Sequence, residues 1–546
     1  VAGRLRSPAV PAELALLGGP IFTAGSHPGS FTALAVDGGV ISYLGDDEGV
    51  RAHIGPGTNV IDLGGRMATP GFQDAHCHPS SSGLDLARCS LGEARSAEEA
   101  LAAIASYAGA HPDEAWIRGS GWSSDWFDRG CPPKELLDSV VGDRPVYLPN
   151  RDGHSAWVST AALRAAGVDS STPDPFDGRI ERNPDGSPQG TMHEGARYLI
   201  TDHMPEDTDA EIRAGIVAGQ RYLFGRGITA WQDAHVDDPV HRAYRALGEN
   251  GDLEGRVAGA LWWDRHLGME QLQWIESVRH EASGRYRPVA VKLMVDGVVE
   301  NFTASMLDPY LDGAGGSTGN RGIDFIDPSD LAEIVTRLDA TGLSCHFHAI
   351  GDRGVRNALD AVAAARAANG MTANRHHIAH IQVVHPDDIA RFVELGVTAN
   401  CQTLWACDGG YQTDLTKPFL GQERTSWQYP FGSLAAAGAH LAMGSDWDVS
   451  TPDIFDQADV AVTRSDIADP SEPPLNLAEA ITLAASLTGF TLGSAYVNHI
   501  DDTTGTLEVG KLADLVVLDC DPFQRERVAG TLVDLTVIEG RIVYER

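Results

Sequence analysis

The sequence predicts an α/β fold centred on a TIM-type (β/α)8 barrel, and three observations predict it. Eight short apolar runs, rich in β-branched residues, alternate with alanine-rich stretches through the middle of the chain, as βα units around a parallel sheet do. Both ends read instead as short strands punctuated by glycine and aspartate. Between the first and second runs lies a stretch rich in Trp, Pro, Gly and Asp that keeps neither rhythm. The expected organisation is a barrel over residues 70–488, with 80–222 an insertion after its first strand that shapes the substrate site. Residues 1–69 and 489–546 together are expected to form a small β-sandwich domain.

In order, AELALLGGPIFTA (12–24), TALAVDGGVISYLG (32–45) and NVIDLGGRMATPG (59–71) are the N-terminal strands, broken by Gly-Gly and Asp-Gly turn signals. MATPGFQDAHCH (67–78) opens the barrel. The insertion follows, its most turn-rich parts being GSGWSSDWFDRGCPPKELLD and DSSTPDPFDGRIERNPDGSPQG. The other seven barrel strands fall in GITAWQDAH (227–235), RVAGALWW (256–263), PVAVKLMVDG (288–297), GLSCHFHAIGD (342–352), RHHIAHIQ (375–382), GVTANCQT (396–403) and AHLAMGSDW (439–447). Helices are expected at PSDLAEIVTRLDATG and RGVRNALDAVAAARAANG. Residues 403–433 read as a second long loop, carrying Trp405, Tyr411, Trp427 and Tyr429. Loops of such length are usually functional, and both would follow strand C-termini, where barrel active sites sit. GTLEVGKLADLVVLD and GTLVDLTVIEGRIVYE end the sequence as strands.

Composition narrows the function classes. Of 546 residues, 42 % are hydrophobic, enough for sizeable cores. A net charge of −35 repels phosphate backbones and anionic bilayers, so neither nucleic acid nor a membrane is an expected partner. The expected partners are a small-molecule substrate and a second copy of the chain, as a homodimer. Seven scattered cysteines do not form a disulfide framework and suit a reducing cytoplasm. The opening VAGRLRSPAVPAELALLGG lacks the sustained apolar core of a signal peptide, and no run reaches the ~18 apolar residues of a membrane span.

Chemistry-bearing residues gather at the strand ends. Alternation along a strand puts His76 and His78 on one face, with Cys77 on the other. Asp74 shares the histidines' face one step deeper, as a candidate partner for a ligand imidazole. His346 and His348 again share a face. His380 follows His376 and His377, Asp446 ends an apolar strand, and Lys292 lies inside one, where an unpaired charge is expensive. A lone His-x-His is an ordinary strand feature; five strands equipped at the same end point to a metal.

PGFQDAHCHP, HAIGDRGV, IAHIQVVHP, GSDWDVS and GTLEVGKLADLVVLD resemble the metal-dependent amidohydrolase superfamily, within it the third amidohydrolase family, which includes N-substituted formamide deformylases. The likeness covers nearly the whole chain, RDGHSAWVSTAAL of the insertion included. It implies that His76 and His78 hold the more buried of two metals, and that His348 and His380 hold the second. Lys292, as a carbamate, would bridge them, and Asp446 would bind metal and shuttle the proton. Zinc suits neutral imidazoles; a paired site can clamp hydroxide and a carbonyl oxygen. Burial keeps a lysine neutral, able to take up carbon dioxide; the alternative for Lys292 is an ion pair with Asp296. His346 is expected to be a core residue or to support a ligand, His376 and His377 to be surface or structural, and Cys77 and Cys345 to pack the core.

For the substrate, the insertion offers Arg151, Asp152, His154 and Glu194, while Trp122, Trp126, Trp157 and Trp405 could make an apolar pocket for a hydrophobic N-substituent. The implied activity is hydrolysis of a non-peptide carbon–nitrogen bond, in an amide or N-substituted formamide. The metal-bound hydroxide would attack the carbonyl, with Asp446 as general base and acid. Alternatives are a one-metal deaminase or other cyclic-amide or ester hydrolase, in which His76, His78, His348 and Asp446 hold the ion and His380 orients water, and a non-catalytic relative that has lost its metal.

Overall fold

A computed structural model describes residues 11–25 and 30–546; the expectation about the opening stretch falls mostly on residues 1–10, outside the described residues. Each of the eight apolar runs contains one strand of a single parallel sheet: β1 (Phe72–Cys77), β2 (Ile228–Val236), β3 (Arg256–Trp262), β4 (Tyr286–Met294), β5 (Ser344–Ala349), β6 (His377–His380), β7 (Thr398–Cys401) and β8 (Leu441–Met443). Neighbours pair in chain order, with Lys292 beside His346 and Met294 beside His348. Just past β8 the ring is drawn together by backbone bonds. Asp446 N donates to His76 O and His78 N donates to Trp447 O, both at 2.7 Å.

The helices between strands follow from sequence periodicity. Asp327 caps Pro328–Thr341 by accepting from Ser329 N, and the helix buries Leu331, Ile334, Val335 and Leu338, one face at helical spacing. Asp352–Asn369 does the same with Val355, Leu359 and Val362. Both pack into the large core around the barrel.

The insertion ends earlier than expected. Residues 209–222 belong to a barrel helix, Asp209–Phe224, which starts with a Thr208–Glu211 capping box. Its Ile212, Ile216, Leu223 and Phe224 share the core of Phe72 and Ile228. The rest builds its own mixed six-stranded sheet, in the order Gly178–Arg182, Pro188–Glu194, Ser155–Val158, Val146–Pro149, Ile117–Ser120 and Cys89–Ser90. Residues 403–433 are not a bare loop, since they include the helix Lys417–Thr425.

At the chain ends, Leu14–Leu17, Ala33–Asp37, Val40–Gly45 and Asn59–Asp62 form one four-stranded sheet. Ala68–Pro70, Leu515–Leu518, Val533–Ile538 and Arg541–Glu545 form another. Leu14, Leu34, Val36, Leu515, Val517 and Val537 share one apolar cluster. Arg256 of β3 pairs with Asp514 and Glu539, tying the barrel to the C-terminal strands. Among the described residues, no helix is long and apolar enough to cross a membrane.

Candidate metal centre

The C-terminal ends of β1, β4, β5 and β6, with the segment after β8, place His76, His78, Lys292, His348, His380 and Asp446 on the wall of one cavity of about 880 Å3. Two imidazole nitrogens converge on one carboxylate oxygen: His76 Nε2 and His78 Nε2 each lie 3.1 Å from Asp446 Oδ1. His380 Nδ1 stands 3.8 Å from Asp446 Oδ2, and the His348 and His380 rings are 4.5 Å apart. Within this cavity, His76, His380 and Asp446 bring ligand atoms within 4.8 Å of one another. Two of these residues leave the strand direction sharply, His380 with φ +75° and Asp446 with φ +55°. Such backbone costs of order 1–3 kcal/mol and persists where surroundings enforce it.

Burial sets the protonation of the site. It pushes the His76 imidazole down to about 3, helped by the Lys292 charge, and holds His348 and His380 far below the usual histidine range. It also brings Lys292 down to about 7, against the pull of Asp446. Burial opposes ionisation of Asp446 too, but His76 and then the other histidines keep its carboxyl well below the usual range. The alternative for Lys292, an ion pair with Asp296, does not form. Asp296 instead accepts from the backbone amides of Ser305, Ile350 and Gly351.

A one-way chain of hydrogen bonds then fixes which His76 nitrogen faces the cavity. The carbonyl of Ile500 can only accept, and Thr504 Oγ1 donates to it (3.1 Å). Thr504 Oγ1 accepts from Gln73 Nε2 (2.8 Å), whose Oε1 accepts from Asn498 Nδ2 (3.4 Å). Asn498 Oδ1 and the carbonyl of Val497 both accept from Gln232 Nε2 at 3.3 Å. Gln232 Oε1 therefore faces His346 Nδ1 (2.7 Å), which must carry the proton. Uncharged through burial, His346 presents a bare Nε2 to His76 Nδ1 (2.7 Å), so the His76 proton sits on Nδ1. His76 Nε2 is left as a lone pair facing Asp446 Oδ1. A cation between them relieves that clash of acceptors, and the buried Nδ1 atoms of His348 and His380 have no hydrogen-bond partner. The donor set fits a divalent metal.

Other expected roles sort differently. Asp74 supports His76 through its backbone, not its ring, accepting from the amides of His76 and Ser445 and from Ser445 Oγ. His376 and His377 are buried: His376 contacts Asp339 and accepts from Cys345 N, and His377 lies 3.0 Å from Gln232 Oε1. Trp122 does not reach the cavity. It is fully buried, packs on Phe127 and Trp157, and donates to Leu148 O; its size and apolarity serve the insertion's own core. Trp157 is buried there with it.

Arg151, His154, Glu194 and Trp405 do line the cavity. Trp405 lies parallel to His380, ring centres 5.3 Å apart. Glu194, at φ +50°, faces His154 Nδ1 at 2.9 Å and accepts from Thr303 Oγ1, while the His154 ring lies 5.2 Å from His348. Sequence reasoning missed Gln232, and also His235 stacked on Trp262 in the cavity wall. The third-strand run ending in Trp-Trp was the one signal that could have found that stack.

The chain matches the amidohydrolase family over residues 59–544. Protein LONG AFTER FAR-RED 3 of Arabidopsis thaliana is 29% identical over 98% of this chain and 92% of its own. An N-substituted formamide deformylase of Arthrobacter pascens is 26% identical over 98% of each. Among solved structures, an uncharacterized metal-dependent hydrolase of Pyrococcus furiosus, 26% identical, superposes with a TM-score of 0.71 over 94% of this chain and all of that one. With the match running through all eight barrel strands and the insertion, the chain belongs to the amidohydrolase family, and so to a superfamily of metal-dependent hydrolases.

Proposed function

We propose that this hydrolase cleaves a non-peptide carbon–nitrogen bond, in an amide or an N-substituted formamide, with Asp446 moving the proton. The observation that carries the reading is the convergence of His76 and His78 on Asp446 Oδ1, which leaves Oδ2 the freer oxygen. His76, His78, His348, His380 and Asp446 would hold two divalent ions, zinc by ligand type, with Lys292 between them as a carbamate. When bound, such ions polarise the scissile carbonyl and lower the pKa of water. Lys292 is suited to its part because burial holds a large fraction of its amine neutral near pH 7, and a neutral amine adds to carbon dioxide, releasing a proton.

Asp446 Oδ2 takes a proton from the attacking water and returns it to the departing amine nitrogen as the carbon–nitrogen bond breaks. Trp262, Trp405 and Tyr429 give the cavity an apolar side for an N-substituent, and Arg151, His154 and Glu194 the polar side. The two terminal sheets read as one sandwich domain supporting the barrel, and seven free cysteines suit a reducing compartment such as the cytoplasm.

Hydrolysis assays over N-substituted formamides, acyl amides, hydantoins and lactones, with zinc and bicarbonate supplied, test the bond type; turnover confined to lactones would refute it. Asp446→Asn should keep bound metal and lose about 10²–10⁴-fold in kcat; wild-type turnover in that variant would end the proton-transfer role. The close grouping of His76, His380 and Asp446 also favours a one-ion version, which metal analysis giving one ion per chain and an unmodified Lys292 would establish.

A further inference from the structure

A second group of ligand-type side chains lies in the insertion, outside the cavity just described. Cys131 comes from the loop before the helix Lys134–Val141, Glu181 from the strand Gly178–Arg182, and His193 from the strand Pro188–Glu194. Cys131 Sγ is 3.7 Å from His193 Nε2, and His193 Nε2 is 3.8 Å from Glu181 Oε2. All three ligand atoms fall within 4.8 Å of one another. Zinc bond lengths and a tetrahedral angle put such ligands about 3.3–3.6 Å apart, so the two contacts to His193 need to close by only a few tenths of an ångström, and Cys131 and Glu181 must draw together from within 4.8 Å.

The group opens on its own cavity of about 350 Å3, leaving room for a fourth, water ligand. His193 Nδ1 lies 2.8 Å from Ser155 Oγ, a hydroxyl able to accept the Nδ1 proton, and in that tautomer Nε2 is free, as in many metal-bound histidines. Arg179 Nε and Arg129 Nη2 stand 3.4 and 4.0 Å from Glu181. They work against a cation: the Arg129 side chain is 76% exposed and free to swing into water, whereas Arg179 Nε is buried and has to turn away from Glu181 Oε2 when an ion binds.

We propose that Cys131, Glu181 and His193 form a second divalent-cation site of the zinc class. Its assignment does not rest on the reaction proposed for the main cavity. On binding, Cys131 gives up to solvent the thiol proton it now directs at Arg129 O. The ion would clip the loop of Cys131 to the hairpin 178–194. His193 faces this second cavity, while the next residue, Glu194, faces the first and holds His154. The clip thus stiffens the strand that aims His154, a positioning role.

The test is reconstitution of metal-free protein with cobalt. The ligands of the main cavity are nitrogen and oxygen atoms, so a thiolate-to-cobalt charge-transfer band reports on the Cys131 site. The expected result is a band that is lost in Cys131→Ser and His193→Asn, with one fewer cobalt per chain. No band in the wild type, or one that survives in Cys131→Ser, overturns the proposal. Should the variants fail to fold, zinc-edge anomalous density in wild-type crystals decides it: a peak among the three residues supports the site, and its absence there overturns it. Loss of amide hydrolysis with the band intact would count against the reading of the main cavity alone.

Discussion

Gln232 carries no chemistry of its own, yet its amide decides which nitrogen of His76 reaches the cavity. Replacing it by leucine removes the acceptor for His346 and lets His76 exchange tautomers. Gln232→Leu should weaken affinity for the first divalent ion about 10–100-fold, read by competition with a chelator; unchanged affinity would show that the tautomer is set elsewhere. The histidines gathered at the cavity were legible because alternation along a strand is local and strict. Gln232, Asn498 and Gln73 were not, because their relation spans more than 400 residues and leaves no short-range pattern. Trp122 misled for a related reason, since a tryptophan in a Gly- and Asp-rich stretch reads the same whether it lines a pocket or fills a core.

At the scale of elements, the helix Pro79–Asp85 begins directly after His78 and crosses Asp209–Phe224 at very short range. A Cβ added at Gly83 would lie 2.0 Å from the carbonyl oxygen of Gly215, so the helices must part. Gly83→Ala should therefore cost about 1–3 kcal/mol and weaken metal binding through His78. Gly109→Ala, at an exposed helical position with no neighbour within 4 Å, should be neutral or stabilising by up to about 1 kcal/mol. Thermal melts of both variants check the contrast, and equal effects would refute it. The eight strands could be read from the sequence because each buried run is bounded by turn residues. The helix Asp209–Phe224 was hidden because it follows a Pro- and Asp-rich approach, so its apolar positions were absorbed into the insertion.

For the whole molecule, the join between barrel and C-terminal strands rests on few charges. Arg256 is mostly buried and shared by Asp514 and Glu539, and Arg285 adds a second bond to Glu539. Arg256→Met leaves the buried Asp514 carboxylate without that partner, and breaking such a pair costs about 3–5 kcal/mol. Urea unfolding should show that loss, and a change under 1 kcal/mol would mean that Arg285 compensates. The chain-end strands were foreseen, but not this charged seam, since ion pairing across such distances has no sequence period.

The hydrogen-bond relay that begins at Ile500 also has a consequence in time. Translation delivers His76 early and the segment Val497–Thr504 late, so a growing chain holds its first ligand before anything can choose its tautomer. If the centre holds metal as proposed, its loading follows the docking of that late segment, and a stalled or clipped polypeptide would carry the proposed ligands without a competent site.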